Sequence, residues 1–213
     1  MTAVAESYQI QTRRNRMGFW LFFLSESFLF GGLLVARYYL WGNTRPSMED
    51  TVIGPLTIGY QIIPLAITAV LLLSSFFMNR AEVAIANDDR KTFSRSILLT
   101  TLMGLIFLLG VLVFEWGWKT VDGQFVLGRH ISPTDGVFGA VLYGMTGMHA
   151  LHVLSGLVLL MLVWNLGRKG HFSPEKHWGV EATAIYWHYV DLVWVFFYPA
   201  IYLIGVGMKV AGH

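Results

Sequence analysis

Residues 180–205 read VEATAIYWHYVDLVWVFFYPAIYLIG, a run apolar and aromatic enough to cross a lipid bilayer. Three ionisable residues, Glu181, His188 and Asp191, interrupt it near its start. Steps of about 100° per residue keep all three within one broad face of a helix. A charge at the bilayer centre costs roughly 2.5 to 3.5 kcal/mol on insertion scales, so such a face normally looks at protein or water. We expect a fixed polar network between helices, with a proton relay as the alternative.

The composition is that of a membrane protein. Residues of the AVILMFWYC set make up 55% of the 213, charged residues only 13%, and the mean hydropathy is +0.55. The formal net charge is +2 and the basic residues are scattered, so we expect no nucleic-acid partner. The chain has no cysteine, which excludes disulfides, thiolate metal sites and cysteine nucleophiles.

Five apolar segments are long enough to span a bilayer as helices, because about 20 residues at 1.5 Å each cover a hydrocarbon core of about 30 Å. They are residues 17–41, 56–78, 96–117, 137–166 and 181–208. The polar stretches between them are too short for another domain. We therefore predict an all-α polytopic membrane bundle of five transmembrane helices, with residues 1–213 forming a single domain.

The basic residues predict how the bundle is oriented. Ten lie on the side of the N-terminus: Arg13, Arg14, Arg16, Arg80, Arg90, Lys91, Arg95, Arg168, Lys169 and Lys176. Five lie on the other side: Arg37, Arg45, Lys119, Arg129 and Lys209. Loops rich in Lys and Arg stay in the cytoplasm. The N-terminus is accordingly expected in the cytoplasm and the C-terminus outside.

Polar groups within the other segments are candidates for function. Glu26 lies about 13 Å along the first segment, where it must be a protonated acid, an ion-paired carboxylate or the lining of a wet cavity. His149 and His152, three residues apart in GMHALHVLSG, could ligate a metal or haem, but two histidines do not complete a site. We expect instead that a buried imidazole bonds to a neighbour such as Glu26.

Two further patterns concern contacts. Lys176 and His177 precede Trp178 just before the last segment, a cationic and aromatic patch suited to lipid headgroups or simple interface anchoring. Gly136, Ala140 and Gly144 recur every fourth residue, which predicts a small-residue row buried against another helix.

The sequence resembles subunit III of the haem–copper oxidases, notably cytochrome c oxidase, in its five-helix bacterial form. The resemblance rests on GMHALHVLSG, on KHWGVEATAIYWHYVDLVWVFFYPAIYLIG, and on the Ser25–Glu26 pair of the first segment. It covers the chain from Gly18 onward. Glu26 then matches the family's buried glutamate, and His149 and His152 match its paired histidines.

The resemblance implies a non-catalytic subunit of a proton-pumping terminal oxidase in the bacterial plasma membrane. Such a subunit holds no haem or copper; those belong to partner chains. It packs on subunit I, within a complex that also has subunit II and small subunits, binds phospholipids, and sustains proton uptake and stability during turnover. The eight residues implied in lipid contact or a buried polar network are Glu26, His149, His152, Lys176, His177, Glu181, His188 and Asp191.

Three alternatives stay open. Five helices also fit subunit III of a quinol oxidase or the accessory protein of nitric oxide reductase. The three histidines His149, His152 and His188 could instead serve a stand-alone membrane haem enzyme. Glu26, Glu181 and Asp191 could serve a proton transporter.

Overall fold

A computed structural model of the chain describes residues 3–46, 51–53, 56–58, 62–116, 133–134 and 136–208. It contains five long helices: α1 (Ala3–Trp41), α2 (Ile62–Ala86), α3 (Arg90–Gly110), α4 (Gly136–Arg168) and α5 (Trp178–Tyr202). A π-helical turn, Val111–Glu115, extends α3. Four three-residue strands lie between or after helices: β1 (Thr44–Pro46), β2 (Thr51–Ile53), β3 (Leu56–Ile58) and β4 (Val206–Met208).

The helix bounds differ from the predicted segments at several ends. Helix α1 begins at Ala3 rather than at 17, α2 ends at Ala86 rather than at 78, and α3 begins at Arg90 rather than at 96. Two further differences replace predicted helix by strand. The second segment was expected to begin at 56, but residues 56–58 form β3, which pairs antiparallel with β2, and α2 begins at Ile62. Pro64 therefore lies in the first turn of α2. The N–H groups of a first turn have no acceptor within the helix, so a proline there costs no helical hydrogen bond. The last segment was expected to continue to 208, but α5 ends at Tyr202 and β4 follows.

The helices alternate in direction and pack as a bundle. Helices α2, α3, α4 and α5 form a ring in which α5 contacts both α2 and α4, and α1 lies outside the ring against α4 and α5. Helix α1 runs parallel to α5. One end of the bundle carries Arg16, Arg90 and Arg168, and we call it the basic end. Three of the basic residues used to predict the orientation lie outside the described residues: Lys119, Arg129 and Lys209.

Trp187 of α5 occupies the centre of the ring and is fully buried. A Cβ placed on Gly104 of α3 would lie 2.8 Å from its Cζ2, and one on Gly156 of α4 would lie 2.9 Å from its Cε3. The indole Nε1 donates to Ser74 Oγ of α2 at 2.9 Å. Two glycines therefore make the space for this ring, and one serine satisfies its only polar atom.

The row of small residues predicted to be buried against another helix has no close neighbour within this chain. Gly136 and Ala140 are exposed, and nothing lies within 4 Å of a Cβ built on Gly136 or Gly144. Burial of this row against another protein chain stays a prediction. Within the chain, the glycines that permit close helix packing include Gly104, Gly156 and Gly167, each facing an aromatic ring.

Among the described residues, four helices are long and apolar enough to span a membrane: Ile10–Trp41, Ile62–Ala86, Arg90–Val113 and Gly136–Arg168. Helix α5 has 25 residues, a length that also suffices. Its aromatic and ionisable side chains lower its hydropathy, and most of them are buried or half-buried against the neighbouring helices. Helix α5 can be polar because the other helices enclose it.

Candidate functional site

Glu26 of α1 and His152 of α4 form a polar contact halfway along the bundle. Glu26 Oε2 lies 3.1 Å from His152 Nε2, and both side chains are largely enclosed, with 18% and 14% of their surfaces exposed. His152 Nδ1 lies 2.8 Å from the carbonyl oxygen of Met148. The ring of Phe30 packs on the imidazole at 4.8 Å between centroids. The two helices are thus joined by a carboxyl–imidazole pair within an aromatic environment.

The hydrogen bond to Met148 limits the charge of this pair. A carbonyl oxygen only accepts, so His152 Nδ1 carries a proton. Nε2 then either accepts a proton from a neutral Glu26 or carries a second proton and donates to a carboxylate. In both cases the pair has no net charge, which suits a site within a membrane helix.

Two tyrosines of α5 lie beside this pair. Tyr186 OH is 2.6 Å from Ser155 Oγ, and Tyr189 OH is 3.3 Å from Ser27 Oγ. Tyr186 OH also lies 3.2 Å from the carbonyl oxygen of His152. Sequence reasoning missed these tyrosines, because tyrosine does not stand out in an aromatic segment.

His149 has a different set of neighbours from His152. It is almost fully buried, its Nε2 donates to the carbonyl of Val190 at 3.1 Å, and its ring stacks against Trp194 at 4.7 Å. Its Nδ1 has no partner among the described residues. The two histidines therefore point to different helices, His149 to α5 and His152 to α1, and the structure does not bring them together as a ligand pair.

His188 and Asp191 meet Ser75 of α2. The Ser75 hydroxyl donates to Asp191 Oδ2, so it accepts from His188 Nδ1 at 2.9 Å. Asp191 is 3% exposed, and its Oδ1 has no partner among the described residues. A serine nucleophile donates to histidine while the aspartate orients that histidine, whereas here the serine proton goes to the aspartate. This arrangement joins α2 to α5 and is not a hydrolase triad. Sequence reasoning missed Ser75, because one serine in an apolar run carries no signal of its partner.

Glu181 lies apart from His188 and Asp191, at the basic end. Its carboxylate accepts from Arg16 Nη2 of α1 at 2.7 Å and lies 3.5 Å from His177 Nε2. Lys176 is exposed, with its Nζ 5.7 Å from the ring centroid of Tyr8. The three ionisable residues of α5 therefore divide into two groups, one facing α1 and one facing α2.

Arg37 is a buried cation that sequence reasoning treated only as an orientation signal. It is 0% exposed, and its guanidinium donates to the carbonyls of Ala200 (2.5 Å), Ile204 (2.6 Å), Gly42 (3.0 Å) and Thr44 (3.3 Å). The carbonyls at a helix C-terminus carry partial negative charge. Arg37 neutralises the ends of α1 and α5 together. β1 pairs with β4 in parallel beside it.

The described residues contain no group of three or more His, Cys, Asp or Glu side chains placed to hold a metal ion. Fold and site together define a multi-pass helical membrane protein in which buried polar side chains pair across neighbouring helices.

Comparison with known proteins identifies the family. The family model described as cytochrome c oxidase subunit III matches residues 5–206. The chain is 33% identical over 190 residues to "Cytochrome c oxidase subunit 3" of Thermostichus vulcanus, covering 88% of this chain and 86% of that protein. The corresponding protein of Synechocystis is 34% identical over 185 residues (86% and 73%), and that of Gadus morhua 35% over 194 (88% and 68%). The chain belongs to the cytochrome c oxidase subunit III family.

Membership has direct consequences. The chain is a subunit of the cytochrome c oxidase complex, a respiratory-chain membrane assembly, and the family carries no redox cofactor and no catalytic centre of its own. The family model and the relatives are those of cytochrome c oxidase, so the match favours this interpretation over a quinol oxidase subunit or a nitric oxide reductase accessory protein.

Proposed function

We propose that this chain is the non-catalytic subunit III of a proton-pumping haem–copper terminal oxidase in a bacterial plasma membrane. It forms one membrane domain over residues 1–213, with the N-terminus in the cytoplasm. It packs on subunit I, which holds haem and copper, in a complex with subunit II and small subunits. The family match over residues 5–206 is the observation that carries this proposal.

The exposed side of α1 supports a role in holding phospholipids. Only one side of α1 packs on the bundle, and the rest presents large apolar side chains such as Trp20, Phe28 and Tyr39. Lys176 and His177 lie near the start of α1 at the basic end, where a cation meets phosphate groups. Lipid chains along α1 and headgroups near Lys176 would together form a bound layer between this chain and a partner.

The Glu26–His152 pair supports a role in sustaining proton uptake by subunit I. The pair holds one proton that can reside on either group without changing the net charge. Transfer of this proton within the pair creates no isolated charge in the bilayer, and a proton that the pair passes on must be replaced for the pair to become neutral again. We assign Glu26, His149, His152, Glu181, His188 and Asp191 to the polar network that keeps the helices in register, with Glu26 and His152 as its exchangeable part.

Purification of the native complex tests the proposal. The chain should co-purify with a haem–copper subunit, and a complex stripped of this chain should retain its haem spectrum while losing activity progressively during turnover. The isolated chain should show no haem absorption and, in liposomes, no proton flux. A complex without a haem–copper subunit would contradict the proposal, and so would unchanged activity over many turnovers after the chain is removed.

A further inference from the structure

A cavity opens at the basic end between the start of α3 and the end of α4. Its volume is about 340 Å³. Four of the residues that line it are cationic: Arg90, Lys91, Arg95 and Arg168. We call it the basic cavity. It lies outside the set of residues that the sequence predicts for lipid contact.

The floor of the basic cavity is built by core packing. Phe93 is 1% exposed and rests against Gly167 of α4, where an added Cβ would lie 2.9 Å from the ring Cζ. A side chain at position 167 would displace this ring. The concave shape therefore depends on two buried residues rather than on the positions of long surface side chains.

The charges around the cavity are only partly balanced. Arg90 Nε lies 3.2 Å from Asp88 Oδ1, and the carboxylate of Asp89 accepts from the Thr92 amide. Within the described part of the chain, neither Lys91 nor Arg95 makes a side-chain hydrogen bond or a close ion pair, although the charge of Lys91 is attracted to the nearby Asp89 carboxylate. The N-terminus of α3 adds the positive end of its dipole, which repels cations and attracts anions. A phosphate in the cavity would relieve this repulsion.

The surroundings of the cavity match a lipid rather than a soluble anion. Trp164 Nε1 donates to Ser94 Oγ at 2.8 Å beside the cavity, and indoles favour the level of lipid headgroups. Helical spacing places the exposed Leu98 and Leu102 on the same face of α3 as Arg95. The exposed Met161 lies two turns before Arg168 on α4. Apolar surface therefore continues from the cations into the depth of the membrane.

We propose that the basic cavity binds the phosphate of an anionic phospholipid, whose acyl chains lie along the exposed faces of α3 and α4. Lys91, Arg95 and Arg168 contact the phosphate, and Arg90 stays paired with Asp88. Inorganic phosphate shares the recognised group but lacks the chains, so the two ligands can be distinguished.

The test places the purified native complex in bilayers of phosphatidylcholine with phosphatidylglycerol, extracts and washes it in mild detergent, and measures by mass spectrometry the lipid that stays bound. Replacing Lys91→Gln and Arg95→Gln together should lower retained phosphatidylglycerol about thirtyfold, since each cation near a membrane surface adds about 1 kcal/mol. Phosphatidylcholine should be unaffected. The control double variant Arg13→Gln/Arg14→Gln removes the same charge from exposed positions of α1 and should retain phosphatidylglycerol as the wild type does.

Three outcomes would overturn the proposal: equal retention in wild type and the Lys91/Arg95 variant, equal loss in the control variant, or displacement of the lipid by millimolar inorganic phosphate. If the double variant does not assemble, the single change Arg95→Gln decides the question, and retained phosphatidylglycerol should then fall about fivefold. Because the readout is bound lipid in a folded complex, it does not depend on whether the chain sustains proton uptake.

Discussion

The buried guanidinium of Arg37 on α1 donates through Nε to the carbonyl oxygen of Ala200 on α5 at 2.5 Å. This carbonyl is available because α5 ends there: the amides of Leu203 and Ile204 both donate to Pro199. Arg37 replaces the missing helical donor and reaches Ile204 as well. One side chain thus fastens the ends of two parallel helices.

Replacing Arg37→Gln should destabilise the protein strongly, because several carbonyls lose their donor at once. An unsatisfied buried group costs about 1 to 3 kcal/mol, and 1 kcal/mol shifts Tm by about 2 to 4 °C for a chain of this size. We expect Tm in detergent to fall by roughly 5 °C or more on these scales. The exposed Arg13→Gln serves as the control, and equal Tm values for the two variants would contradict the role assigned to Arg37.

Gly156→Ala should weaken the ring of helices, because the new Cβ would lie 2.9 Å from Trp187 Cε3. Overpacking of this kind typically costs about 1 to 3 kcal/mol. Gly144→Ala is the matched control on the same helix, since its Cβ meets nothing within 4 Å, and it should leave Tm unchanged or raise it. Thermal unfolding of both variants is the measurement, and equal effects would show that Trp187 is not closely held.

The variants Glu26→Ala and Glu26→Gln should distinguish two roles of Glu26, its structural contact with His152 and its exchangeable proton. Glutamine can donate its amide proton to His152 Nε2, so it preserves the contact but not an exchangeable acid. We expect Tm to fall only in the Ala variant, while both variants lose activity faster than wild type during sustained turnover. If the Gln variant kept wild-type activity over many turnovers, the pair would be structural alone.

Ser75→Ala should destabilise the α2–α5 contact, because Asp191 would lose the hydroxyl that donates to Oδ2. The cost of leaving a buried carboxyl without a donor is about 1 to 3 kcal/mol. Asp191→Asn should cost less, since the amide oxygen still accepts from Ser75. A double-mutant cycle on Tm or denaturant midpoint measures the coupling, and additive effects would mean that the two side chains do not interact.

The thermal stability of the protein should fall at acid pH in part because Asp89, which caps α3, becomes protonated. Hydrogen bonds from the Thr92 hydroxyl and backbone amide lower the pKa of Asp89 below its ordinary value. A lowered folded-state pKa gives stability that is complete above the unfolded pKa of about 3.9 and is lost as pH falls through the folded pKa. Asp89→Ala should flatten the pH dependence of Tm below about pH 4. The same acid slope in both proteins would exclude this cap as its source.

Much of the architecture was readable in the sequence because bilayer thickness sets helix length. Helix α4 begins and ends within two residues of expectation, and the π-helical extension of α3 ends two residues before the expected 117. The start of α3 was misplaced, because Asp89 caps the helix at Arg90. The start of α2 was misplaced because residues 56–58 are as apolar as a helix but pair with β2. Composition alone cannot separate a short apolar strand from the first turn of a helix.

The candidate site was predicted in residue type but not in pairing. Glu26, His152, His188 and Asp191 stood out because ionisable groups are rare in apolar segments. Their partners Ser75, Tyr186 and Tyr189 did not, since serine and tyrosine are common there. Arg37 was read as a terminal charge, and only the ending of α5 beside it shows why it is buried.

For residues 180–205, the sequence by itself determined a long helix with a polar side, because apolar length and helical spacing are local properties. The tertiary structure decided what that side faces. Glu181 meets Arg16 of α1, whereas His188 and Asp191 meet Ser75 of α2, so one broad face serves two neighbours. Helix α5 has neighbours on several sides, and each of its polar groups bonds to the neighbour it faces. Which neighbour that is depends on packing across the whole bundle, which is not a local property of the sequence.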